Sequence, residues 1–351
     1  PEAITAWIGE RLKGHYASPD LKVALLMTLG LQPRETISPH HRTMLAEAVR
    51  QGRLLEDAVG DPLRSHAALT LGRIGTLSDV DVLKQALRQR RGMSKNVHRS
   101  AAIALGRIAR THPEAARGEL VPWMLQARDE LRDLSTRAFL LMGLVPFADD
   151  PRVGSELLRI ARKGRYIERP YAALALGLAL RDAPSHPRDE EVRRTLQAGV
   201  VDGRLGAKGQ GAFALALAMV GDDGQASAIR ALAADPAQPE VVRDYALLGL
   251  LLRPDDPWRR LTHDVARDVA SRERAVLALR GVGLSGELAG EAGTRELVDL
   301  LKRVRTASQK GEAAVALARV GSPAAIEALH AIAVDPREQD LTRMMAVVGL
   351  G

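Results

Sequence analysis

The densest group of residues that could do chemistry is a run of basic side chains between positions 84 and 117. This segment holds nine Lys and Arg residues against a single acid, Glu114. The whole chain of 351 residues carries a formal net charge of +7, so the rest of it is close to neutral. Such a local excess can attract a nucleic-acid backbone, an anionic lipid surface or an acidic protein segment. The residues predicted to contact such a partner are Lys84, Arg88, Arg90, Arg91, Lys95 and Arg99.

Two observations limit what this basic run can do. Cations in the last turn of a helix, followed by Gly, are ordinary C-terminal caps, and the chain repeats that arrangement at Lys13-Gly14 and Lys163-Gly164. Capping accounts for one or two charges in each helix and leaves most of the nine unexplained. Base stacking requires aromatic rings near the cations, and none lies between Lys84 and Arg117. We therefore expect any nucleic-acid binding here to be independent of base sequence, and capping stays the structural alternative.

Further basic residues occupy turns at corresponding places later in the chain. If these turns align on one edge of the molecule, that edge is basic in several successive units. Nucleic-acid or polyanion binding is then the second candidate function. The residues concerned are Arg162, Lys163, Arg165, Arg204, Lys208, Lys302, Arg303, Arg305 and Lys310.

Motifs for catalysis and cofactor binding are absent from the sequence. There is no Gly-x-Ser-x-Gly motif and no P-loop, and the glycine-rich stretch 203–211 lacks a Gly-Lys-Ser/Thr ending. The chain has no cysteine, which excludes disulfides and thiolate zinc sites. Its adjacent histidines, His40 and His41, point different ways on any regular backbone. We predict no catalytic residue, no metal site and no cofactor.

The elements that must position these side chains follow from a short phrase that recurs ten times. Its sharpest copies are AALTLGRIG at 67–75 and AAIALGRIA at 101–109, and successive copies are 31 to 42 residues apart. A period in this range is typical of a solenoid, in which each unit buries one face against the next. We therefore expect one elongated domain over residues 1–351. The position equivalent to Gly72 falls at 30, 72, 106, 143, 177, 218, 249, 280, 318 and 349.

Each copy of the phrase is the apolar stripe of a helix, and a preceding helix completes the unit. The unit from Ser322 to Gly351 shows the plan: Pro323 opens a helix, Asp335-Pro336 breaks it, and Asp340 is predicted to cap a second helix. Only 3% of the residues are aromatic, so the core is expected to consist of Ala, Leu, Val and Ile packed at short interhelix distances. The pattern contains no predicted strand.

This pattern resembles the HEAT-repeat family, especially the short bacterial form also found in phycobilisome-lyase-type proteins. The residues that carry the resemblance are the Asp-Pro break and an acid or Asn followed by Arg: Asp61 with Arg64, Asn96 with Arg99, Asp133 with Arg137, Glu240 with Arg243 and Asp340 with Arg343. The resemblance implies an all-α, right-handed α–α superhelix of about ten helical hairpins. It also implies that these arginines, together with Arg169 and Arg274, pair with acids at the turn of their own or a neighbouring unit. The alternative is a ladder of cations for phosphates.

Other families with HEAT-like folds bring chemistry that this sequence does not match. Deoxyhypusine hydroxylases bind iron through His-Glu pairs, and none of the nine histidines here is followed by Glu. HEAT-like alkylpurine DNA glycosylases need an aromatic-lined catalytic cluster, which the chain lacks. The phycobilisome lyases handle tetrapyrroles, and no residue here marks a chromophore pocket.

The sequence therefore predicts a non-enzymatic scaffold that presents a concave helical surface and a basic turn edge to a macromolecular partner. A protein is the first partner expected. The alternative is sequence-independent binding of nucleic acid or another polyanion through the basic patch 84–117. The longest apolar runs are well short of the roughly 18 residues that span a bilayer, so no transmembrane segment is expected. Because the chain starts at Pro1 and ends within a repeat phrase, we interpret it as a piece of a longer protein. The sequence predicts neither a compartment nor an oligomeric state.

Overall fold

The computed structural model describes residues 2–13, 18–55, 57–89, 92–182, 188–220, 223–251, 291–304 and 306–351. These residues are almost entirely helical, so the prediction of an all-α fold is confirmed. The repeat phrase at 275–283 and Arg274 lie outside the described residues. No helix in the described ranges is both long enough and apolar enough to cross a membrane.

The helices alternate along the chain as first and second members of hairpins. The first helices are α1 (Glu2–Leu12), α3 (Pro39–Gln51), α5 (Val80–Arg88), α8 (Val121–Glu130), α10 (Pro151–Lys163), α12 (Asp189–Val200), α14 (Asp223–Ala234), α16 (Glu291–Arg303) and α18 (Pro323–Val334). The second helices are α2 (Pro19–Leu29), α4 (Asp61–Ile74), α6 (Lys95–Thr111), α9 (Leu134–Gly143), α11 (Glu168–Asp182), α13 (Gly206–Val220), α15 (Glu240–Leu251), α17 (Ala307–Val320) and α19 (Asp340–Leu350). Short helical turns join them: α7 (Pro113–Ala115), a π-turn at Ala116–Leu120, and 3₁₀ turns at Arg34–Thr36, Leu77–Asp79, Val145–Phe147 and Gly203–Leu205.

Two local predictions are corrected by the structure. A pair of two-residue antiparallel strands, β1 (Arg53–Leu54) and β2 (Asp57–Ala58), follows α3, where no strand was expected. Gly52, with a φ of 66°, ends α3 in the left-handed conformation that glycine adopts most readily, and β1 begins at the next residue. Asp340 is the first residue of α19 and not its N-cap, and its carboxylate lies 3.6 Å from Arg343.

The second helices pack side by side through the small residue of the repeat phrase. A Cβ atom on Gly72 of α4 would lie 2.5 Å from the Cα of Ala104 on α6, and one on Gly177 would lie 2.8 Å from the Cα of Ala216. Real Cβ atoms do not approach backbone this closely, so these helices sit closer together than any larger side chain permits. The repeat phrase therefore sets the spacing of successive second helices, as well as their apolar stripe.

The series of second helices passes from the end of the described chain back to its beginning. Contacts connect α17 to α19, α19 to α2, and α2 onwards through α4, α6, α9, α11 and α13 to α15. A Cβ atom on Gly351, just after α19, would overlap the side chain of Thr28 on α2. In the described part of the chain, α19 therefore lies beside α2, and the series of second helices continues past α2 to the C-terminal helices.

Candidate anion-binding surface

Two of the predicted binding residues, Lys84 and Arg88, lie one turn apart on α5. Val80, Leu83 and Leu87 of this helix are buried, whereas Lys84 is half-buried and Arg88 is exposed. The Lys84 ammonium lies 5.4 Å from the centre of the Trp123 ring, and the Arg88 guanidinium lies 5.2 Å from it. At these distances the ring quadrupole attracts both cations and restrains their positions.

The turn after α5 is fixed to two neighbouring helices. His98 Nε2 on α6 donates a hydrogen bond of 2.9 Å to the Gln89 carbonyl. Arg64, which is 7% exposed, donates from Nη1 to the Gly92 carbonyl and from Nη2 to the Val49 carbonyl, each at 2.9 Å. Arg64 is therefore a structural cross-link. The two other predicted binding residues of this turn, Arg90 and Arg91, lie outside the described residues.

Lys95 and Arg99, at the start of α6, converge on one carboxylate. Asp133, the N-cap of α9, lies 3.1 Å from Lys95 Nζ and 3.8 Å from Arg99 Nη2. Burial raises the pKa of Asp133, but hydrogen bonds from Thr136 and Lys95 outweigh burial and hold that pKa below its ordinary value. Asp133 is therefore ionised at neutral pH and compensates part of this positive charge. The side chain of Lys95 is nevertheless 69% exposed.

Two other cations of the basic run, Arg107 and Arg117, have partners on other parts of the molecule. Arg107 reaches the Leu69 carbonyl of α4 at 3.5 Å, and burial together with the nearby charge of Arg73 lowers its pKa. Arg117 pairs with Asp149 at 2.7 Å. Arg107 and Arg117 are therefore not counted with Lys84, Arg88, Lys95 and Arg99. We define the basic turn surface as Lys84, Arg88, Lys95, Arg99 and Trp123.

Trp123 is the member of this surface that the sequence analysis missed. It lies on α8, 35 residues after Arg88 in the chain, and is half-buried. Counting aromatic residues only within the basic run made the cluster look devoid of them. The repeat period could have indicated Trp123, because the first helices of successive hairpins are neighbours in a solenoid and bring their side chains together.

The repeated arginines mostly join one unit to the next. Arg137 Nε lies 3.0 Å from Glu168 Oε1, and Arg169 Nη2 lies 2.9 Å from Asp202 Oδ2. Together with the Arg99–Asp133 contact, these pairs each connect a second helix to an acid about one repeat later. The expectation that these arginines pair with acids is met at these positions, and a free phosphate ladder is not formed there.

Among the residues that the structure describes, no three His, Asp or Glu side chains form a group that could hold a metal ion. His41 accordingly interacts locally: its Nδ1 lies 2.9 Å from the hydroxyl of Ser38, and burial lowers its pKa.

Comparison with known proteins finds similarity in structure but none in sequence. No family model matches the sequence, and no curated protein matches it. The structure of human deoxyhypusine hydroxylase in complex with glycerol is similar with a TM-score of 0.38 and 16% identity, covering 89% of this chain and 95% of that one. That protein is an enzyme, and this finding corrects the predictions that the chain is a non-enzymatic scaffold and not an enzyme. Similarity at this level transfers no catalytic residue to the chain.

Proposed function

We propose that the chain is a member of the HEAT-repeat family, a right-handed α–α superhelix of about ten helical hairpins. The recurring phrase, the alternation of first and second helices, and the arginine–acid pairs between units support this proposal. In such an array each hairpin adds one turn at the edge, so basic turns of successive units become neighbours.

We propose further that the basic turn surface binds an extended polyanion, such as a nucleic-acid backbone, without base specificity. The observation that carries this proposal is the position of Arg88. Among the described residues it has no carboxylate partner, and its exposed guanidinium is held against Trp123 beside Lys84. A cation held in place before binding loses less conformational freedom when it meets a phosphate, which favours affinity.

The charges of this surface also favour an anionic partner. The carboxylates nearest to its four cations are Asp133, which Lys95 and Arg99 share, and Asp81, which lies 3.9 Å from Lys84 and is 87% exposed. The four cations outnumber these two carboxylates, so the surface retains a net positive charge. Each of these cations that neutralises a phosphate releases a counterion condensed on the nucleic acid, which favours binding at low salt.

Replacing Arg88 and Lys95 by glutamine is expected to weaken binding of a fluorescent single-stranded oligonucleotide and to flatten its salt dependence. Each lost phosphate contact reduces the slope of log K against log salt by about 0.7, so the double variant should reduce it by about 1.4. Fluorescence anisotropy at several salt concentrations measures both quantities. The control is Lys13→Gln/Arg159→Gln, which removes the same charge from Lys13, just after α1, and from Arg159 on α10, whose side chains are 54% and 55% exposed. Equal losses in the two variants would assign the effect to net charge and contradict the proposal.

Asp133→Asn should have the opposite effect. Asparagine caps helices as well as aspartate does, so α9 keeps its N-cap while Lys95 and Arg99 lose their shared counter-charge. We expect tighter oligonucleotide binding and a steeper salt dependence in the same anisotropy assay. If these cations only support α9 and bind nothing else, Asp133→Asn will leave oligonucleotide affinity unchanged.

A further inference from the structure

A second cationic site lies on other helices, in a cavity of about 460 Å³. Residues of α10, α11, α12 and the turn before α13 line it, and four of them are arginines: Arg162, Arg169, Arg194 and Arg204. Asp202 is the one carboxylate among the lining residues. Cavities of this size hold small molecules, and this wall carries a clear excess of positive charge.

The arginines on one side of the cavity keep hydrogen-bond donors free. Arg162 uses Nε for the Thr195 hydroxyl at 3.0 Å and Nη1 for Glu191 at 2.9 Å. Arg194 uses Nε for Glu190 at 3.3 Å, and its side chain is 70% exposed. Neither glutamate lines the cavity. In the described part of the chain, Nη2 of Arg162 and both Nη atoms of Arg194 have no hydrogen-bond partner.

On the other side of the cavity, two arginines already bind a carboxylate of the protein, that of Asp202. Arg204 donates from Nε to Asp202 Oδ1 at 2.9 Å and from Nη2 to Oδ2 at 3.0 Å, while Arg169 donates to Oδ2 at 2.9 Å. These hydrogen bonds hold the pKa of Asp202 far below its usual range, so the carboxylate is ionised at neutral pH. Two guanidinium groups that converge on one carboxylate form the geometry that also suits a phosphate.

We propose that this cavity, the arginine pocket, binds the phosphate group of a phosphorylated small molecule. A phosphate offers more charge and more acceptor oxygens than a carboxylate, and the unused donors of Arg162 and Arg194 face the same space as Arg204. Ala161, Ala198 and Gly199 also line the cavity and leave room for an organic portion. The arginine pocket shares no residue with the basic turn surface, so a negative result for one proposal leaves the other unaffected.

The first test titrates the chain with inorganic phosphate and with phenyl phosphate by isothermal calorimetry. Arg194→Gln/Arg204→Gln should weaken phenyl phosphate binding about tenfold or more, since each loss removes a charge-assisted hydrogen bond. Arg159→Gln, an exposed arginine on α10 that does not line the cavity, is the control and should bind like the unchanged protein. The variant Arg88→Gln/Lys95→Gln should also bind normally. Equal affinity in the pocket variant, or binding of inorganic phosphate alone, would overturn the proposal.

A second variant tests the pocket in the opposite direction. Asp202→Asn removes the carboxylate from the wall, while asparagine can still accept the backbone N–H of Arg204 that caps the following turn. We expect phenyl phosphate to bind several-fold more tightly, because the ligand no longer competes with a fixed anion. Weaker binding by a variant that keeps its helical circular dichroism would show that Asp202 only organises the turn, and would contradict the proposal.

Discussion

Gly106→Ala is expected to lower the free energy of unfolding by about 3 kcal/mol, at the upper end of the usual cost of overpacking. The added Cβ would lie 2.5 Å from the Cα of Gly143 on α9, and it would also meet the Gly143 carbonyl. Both atoms belong to backbone, so no side chain can rotate away. The two helices must separate, and every apolar contact between α6 and α9 weakens with them.

Gly118→Ala is the matched control, because a Cβ there has no atom within 4 Å. In a helical segment this change should leave stability unchanged or raise it by about 0.5–1 kcal/mol. Urea unfolding followed by circular dichroism compares the two variants, and hydrogen exchange shows whether protection is lost in α6 and α9. Equal stability of the two variants would refute a glycine-determined helix spacing.

Gly106→Ala should also affect the basic turn surface. Lys95 and Arg99 lie on α6, and Asp133 caps α9, so separating these helices lengthens the ion pairs between them. Oligonucleotide affinity is therefore expected to change in Gly106→Ala and to stay constant in Gly118→Ala.

Glu168→Ala is the second substitution with a large expected effect. The Glu168 side chain is 3% exposed and that of Arg137 is 15% exposed, and their charged atoms lie 3.0 Å apart. Removing the carboxylate leaves a guanidinium in a poorly solvated position, which costs about 3–5 kcal/mol for a buried pair. Because Arg137 lies on α9 and Glu168 on α11, the loss falls on the junction between two hairpins.

A double variant that removes both charges distinguishes the cost of an unpaired charge from the cost of lost packing. Arg137→Met/Glu168→Leu replaces both charges with apolar groups and should recover most of the stability lost in Glu168→Ala. Repeat arrays can unfold in segments, so hydrogen exchange in α9 and α11 is measured beside the urea midpoint. If the double variant is as unstable as Glu168→Ala, the loss comes from packing and not from an unpaired charge.

The pairing between units could be predicted only in part. The acid that follows each interhelix break and the arginine that precedes each second helix are visible in the sequence, and so is their period. The partner of each arginine was left open between its own turn and the next one. In the structure Arg99, Arg137 and Arg169 pair with an acid of the next unit. Arg64 and Arg343 instead lie nearest an aspartate of their own unit, at 3.8 and 3.6 Å.

The sequence by itself determined the all-α fold and the second helices of the repeat, because both depend on spacing within one or two turns of chain. The positions of Ala and Gly in the phrase already implied close helices, and the structure places Gly72 and Gly106 at those contacts. Periodicity also located the turns in which the basic residues lie.

Tertiary structure alone decided which of those residues act together. Trp123 contacts Arg88, and Asp133 contacts Lys95, across neighbouring hairpins. The repeat period gives the order of these hairpins but not the angle between them. The arginine pocket collects side chains from three helices and a turn, and α19 returns to α2. Each of these contacts depends on the angle between successive hairpins. That angle is set by how the side chains of two units pack, which a pattern read along one helix does not contain.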